Sequence, residues 1–178
     1  MRRGMNWQST VGFVMLSLPT LVAGQPATDN EPVLSKAARA VGVRQCLTLV
    51  SATAKRVTQG ATGQDILLDW DHRTPDAGPL FSLTGINIGP QAAAASVVAV
   101  PSPTGGCTLL VERISATAKP CPAVAKAELA GYRATPLLPN IMVYSRPDRG
   151  LESTTLITSS GACLILRRQA VFNWLPPH

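Results

Sequence analysis

The sequence is poor in the side chains that carry most enzyme chemistry. Its 178 residues include two histidines, His72 and His178, ten acids, and four cysteines with no C-x-x-C. Structural zinc sites use closely spaced Cys and His pairs, and thioredoxin-type redox centres use C-x-x-C, so neither is expected. There is no G-x-S-x-G or S-x-x-K for acyl transfer and no Gly-rich phosphate loop, since GATGQD lacks the lysine. The ten acids include no recognisable glycosidase pair. No metal or other cofactor is therefore expected.

Aromatic residues make up only 4% of the chain, and its lysines and arginines are scattered. Stacking platforms along a basic groove, the mark of single-stranded nucleic-acid binding, are missing, and no nucleic-acid partner is expected. Charged residues are 15% and hydrophobic residues 46%, too few charges for a disordered chain or long coiled coil and enough apolar material for one packed core.

No apolar run is long enough to cross a bilayer. The uncharged apolar run near the start, residues 11–23, spans roughly 20 Å as a helix against a hydrocarbon core of roughly 30 Å, and Pro19 interrupts it. It follows Arg2 and Arg3 and precedes the small residues Ala23 and Gly24, which is the order of parts in a secretory signal peptide. Cleavage is expected after Gly24, with Ala23 and Ala27 as alternatives. The reading divides the chain into a signal peptide over 1–24, a flexible segment over 25–32 and a single domain over 33–178. No cysteine stands near the boundary to take a lipid, and the run at 91–100 is also too short to span. A periplasmic or secreted protein with no stable membrane span after cleavage is the expectation. Losing two arginines and no acid lowers the net charge by two from +6.

An exported chain with an even number of cysteines is expected to form disulfides. If the segment after Cys107 is extended at about 3.3 Å per residue, Cys121 starts roughly 25 Å away, which disfavours a Cys107–Cys121 bridge. Two pairings remain open: Cys46–Cys121 with Cys107–Cys163, or Cys46–Cys107 with Cys121–Cys163.

From Pro32 to Gly60, Ala40, Val43, Leu47, Val50, Ala54 and Val57 recur at three- and four-residue spacing, which predicts one amphipathic helix. The β-branched density makes a strand over CLTLVSA the competing reading. DILLDW is a short apolar segment before a charged loop. FSLTGINI, SVVAV, CTLLVERI, NIMVYS, STTLI and CLILRRQAVF read as strands, and PAVAKAELAG as a short helix between Pro122 and Gly131. Two hairpins look alike, each placing Gly and then Cys ahead of an apolar arm that ends in basic residues. SATAK also occurs twice, at 51–55 and 115–119, in segments assigned differently. Neither likeness is taken as a repeat architecture. The expected fold is α+β: an antiparallel sheet of about four to six strands with one longer N-terminal helix and one short helix on one face.

The sequence favours a non-catalytic, disulfide-stabilised protein that binds another macromolecule of the envelope or extracellular space. Arg146, Arg149, Arg167 and Arg168 are its candidate contacts. The alternative is a small exported hydrolase in which Asp69 or Asp71 orients His72 as a general base.

Overall fold

A computed structural model describes residues 31–176 other than 147 and 149. The expected signal peptide lies outside the described residues, as does most of the flexible segment. Three helices and eight strands follow in the order α1 (Val33–Ala40), α2 (Leu47–Val57), β1 (Gly63–Trp70), β2 (Leu80–Ile88), β3 (Gln91–Pro101), β4 (Cys107–Thr117), α3 (Cys121–Glu128), β5 (Arg133–Leu138), β6 (Ile141–Ser145), β7 (Glu152–Ser159) and β8 (Ala162–Trp174). The strands form one sheet in the order β1-β2-β3-β4-β8-β7-β6-β5, with every neighbouring pair antiparallel. The α+β class stands, but with eight strands rather than four to six.

The expected single long helix is two. Apolar spacing runs on through residues 41–46, but Gly42 adopts φ +96°, a conformation L side chains rarely take. Its N–H donates to Arg39 O and that of Val43 to Ala38 O, the bond pair that closes a helix end on a glycine. The chain then turns and restarts at Leu47. Over CLTLVSA the structure is helical: Val50, Thr53, Ala54 and Val57 form the buried stripe of α2.

The two added strands are β1, which contains DILLDW, and β5. In β1, Ile66, Leu68 and Trp70 alternate with Asp65, Leu67 and Asp69, and the first three pack against the core. β5 is exposed at every residue.

The chain runs through the same plan twice. Helix followed by a four-stranded meander makes β1–β4, a second helix and meander makes β5–β8, and the halves join where β4 pairs with β8. Each half carries one bridge between a helix start and the beginning of its fourth strand: Cys46–Cys107, with Cα atoms 5.3 Å apart, and Cys121–Cys163, at 5.1 Å. This is one of the two pairings left open, and the likeness of the hairpins, discounted as a repeat, belongs to this duplicated plan. The SATAK copies do not correspond, since one lies in α2 and the other runs out of β4.

All three helices cover one face. Beneath them lie Leu80, Ser82, Thr84 and Ile86 of β2, Ala95, Val97 and Ala99 of β3, and Leu109 and Val111 of β4. In the second half the covered residues are Leu156, Cys163 and Ile165, packed with Val124 and Leu129. Among the described residues the opposite face has no covering layer. Among the described residues no helix is long and apolar enough to cross a membrane.

Candidate functional site

The charged loop after β1 holds the hydrolase candidates, and its acids are engaged with the backbone. Asp71 Oδ1 accepts the N–H groups of Arg73 (2.8 Å) and Thr74 (3.3 Å), and Oδ2 accepts the Thr74 hydroxyl at 2.7 Å. These bonds, led by the Thr74 hydroxyl, hold the Asp71 carboxyl below its ordinary range. Asp76 Oδ1 accepts the N–H groups of Arg44 and Gln45, each at 2.7 Å, tying the loop to the α1–α2 turn. The Gln45 amide in turn donates to Ser102 O and Gly106 O beside the Cys46–Cys107 bridge. Gly78 admits no side chain, because a Cβ there would lie 2.5 Å from Asp71 Cβ.

Within this loop His72 is exposed and its ring stacks on Trp70 at 4.1 Å. Asp69 alternates with Trp70 along β1 and so faces the uncovered side of the sheet. No hydrogen bond joins His72 to Asp69 or Asp71 among the described residues. Nor does any group of three or more His, Cys, Asp or Glu side chains there converge to hold a metal.

The four arginines do not form one patch. Arg167 lies on the helix side and donates to Glu128 Oε2 at 2.6 Å. Arg168, its neighbour in β8, faces the other way, with Nε 3.7 Å from Glu112 Oε1. Arg146 pairs with Asp148 at 2.5 Å and lies 5.6 Å over the Tyr132 ring, and the Asp148 carboxylate raises its affinity for its proton. Arg149 lies outside the described residues.

A group of exposed apolar residues on the sheet was not singled out from the sequence. On the uncovered face Leu67, Phe81, Leu83 and Ile114 are 63%, 46%, 48% and 48% exposed. The register sets them in neighbouring rows: Leu67 faces Leu83, Phe81 faces Val98 and then Leu110, and Ile114 faces Ala94 and Leu166, with Ser96 and Glu112 between the last two rows. Asp65 and Asp69 border them on β1, and the Glu112–Arg168 pair lies at the junction of the halves. The available signal was the identity of the outward residues: a solvated face normally alternates apolar with polar, whereas FSLTG and CTLLVERI put Phe81, Leu83, Leu110 and Ile114 outward.

A cleft of about 600 Å³ opens on the helix side between the two halves. Val57, Val111, Leu129 and Tyr132 give it apolar walls, and Arg56, Arg113, Arg167, Arg168, Glu128 and Glu152 bring charge to it. Arg113 is directly opposite Arg167 in the β4–β8 ladder. The two basic arm ends noticed in the sequence meet here because the arms run antiparallel.

Comparison with family models, with curated proteins and with solved structures finds no match for this chain.

Proposed function

We propose that the protein is exported, is braced by its two disulfides, and acts without catalysis by docking another protein on the uncovered face of its sheet. The observation that carries this reading is the apolar patch of Leu67, Leu83, Phe81, Val98 and Leu110, which no other element covers among the described residues. Contiguous apolar patches of this kind on a folded chain mark interaction surfaces. Asp65 and Asp69 along its margin suit a partner that flanks an apolar patch with lysine or arginine. Export is supported by the leader-like order of residues 1–24 and by the pairing of all four cysteines. Asp71 is occupied in holding its own turn, and neither Asp69 nor Asp71 is hydrogen-bonded to His72 among the described residues, so the hydrolase reading gains nothing from the geometry.

A photo-crosslinker at position 83 tests this in the native setting. The expected product is one discrete adduct with a different protein, abolished by Leu67→Asp and preserved in His72→Ala. Absence of an adduct, or an adduct only with a second copy of this chain, would overturn the reading.

A further inference from the structure

We propose that the cleft between the two halves binds a small organic carboxylate, its headgroup on the Arg113 and Arg167 guanidinium groups and its apolar body against Val57, Val111 and Leu129. This site is independent of the open sheet face.

Directly opposed like charges in adjacent strands oppose sheet pairing, yet Arg113 and Arg167 are cross-strand partners on the covered side. Arg167 has Glu128 at 2.6 Å. Arg113 has no hydrogen-bond or ion-pair partner among the described residues, and its Nε is buried without an acceptor. An N–H in that position costs free energy until an acceptor reaches it. Burial and the nearby Arg167 both weaken the hold of Arg113 on its proton, consistent with a cation lacking its counter-ion. A guanidinium fork is matched in geometry to a carboxylate.

The charge balance selects the ligand class. Four arginines and two glutamates edge the cleft, and Arg168 is turned to Glu112 on the other face of the sheet. Arg56, Arg113 and Arg167 then stand against Glu128 and Glu152, which leaves one positive charge for a monoanion to neutralise. The cleft's volume of about 600 Å³ leaves room for more than a headgroup and falls within the roughly 300–1,000 Å³ of small-molecule sites. A second hollow of about 280 Å³, edged by Ser115, Thr117 and Lys119, also reaches Arg113 and Arg167, so solvent or ligand has access to the pair from two sides.

Calorimetric titration of the purified protein with octanoate, octanol and inorganic phosphate at constant ionic strength tests the proposal. Octanoate should bind saturably and at least tenfold more tightly than octanol or phosphate. Arg113→Gln should weaken it at least tenfold with the circular dichroism spectrum unchanged. Arg73→Gln, in the loop after β1 and away from the cleft, should leave it within twofold. Should Arg113→Gln disturb the fold, Arg113→Lys keeps the charge without the fork and should still weaken octanoate severalfold. Absence of saturable octanoate binding, equal binding of octanol or phosphate, or indifference to both Arg113 variants would each overturn the proposal.

Discussion

The two halves share a plan but not a degree of burial. In the first, α1 and α2 lie over β1–β4 and fifteen apolar residues are buried together. In the second, the eight residues of α3 pack mainly on β7 and β8, six apolar residues are buried with Tyr144 of β6 at their edge, and β5 is exposed at every residue. The same topology therefore tolerates very different amounts of hydrophobic burial, provided a cross-link ties helix to sheet in each half. Stability should be concentrated in the first half, and the second should depend more heavily on its bridge and on the β4–β8 seam.

The largest test of this asymmetry removes the bridges one at a time. They connect residues 61 and 42 positions apart, and chain-entropy arguments put the loss at about 4 kcal/mol for either. The losses should nevertheless differ in character. Without Cys121–Cys163, amide exchange should accelerate in β5–β7 while β1–β3 stay protected, and without Cys46–Cys107 protection should fall throughout. Simultaneous loss of protection in both halves of the Cys121→Ala, Cys163→Ala variant would show that they behave as one unit.

Single core truncations give a finer measure. Leu80→Ala empties a site 1% exposed beneath α1 and α2 and should cost about 3–5 kcal/mol in urea unfolding, whereas Leu156→Ala, in the thinner cluster, should cost about 2 kcal/mol. Equal costs would break the comparison.

The smallest effect concerns acid, and only the first half. Because the Asp71 carboxyl is held below its ordinary range, its contribution is present above its unfolded-state pKa and is lost as pH falls through the folded value. Exchange of the Arg73 and Thr74 amides, corrected for intrinsic rates, should therefore rise at acid pH below the usual carboxylate range. The rise should vanish in Asp71→Asn.

Local signals disclosed much of this architecture. Alternation and Gly-containing turns located six strands, and Pro122 and Gly131 bracketed α3. Misreadings arose where one residue's backbone overrides a pattern. The apolar period continues across 41–46, but Gly42 stops the helix. In β5, RATPLL has no buried side to create alternation, and Pro136 reads as a strand breaker. The cleft was hidden for a different reason: Arg113 and Arg167 are 54 positions apart, and only the pairing of β4 with β8 brings them opposite one another. Asp71 looked reactive because composition does not distinguish a carboxylate that orients a base from one accepting backbone N–H groups.

The outer strands bear on how the molecule behaves when crowded. Pro136 supplies no N–H to a ladder, and the register shifts between Pro136 and Leu138, so β5 presents no unbroken row of donors to an incoming chain. At the far margin Asp65 and Asp69 would bring like charges together if two β1 strands met. Growth into fibrils by lateral addition is thereby discouraged at both ends of an eight-stranded sheet, so the apolar face is displayed without an open edge beside it.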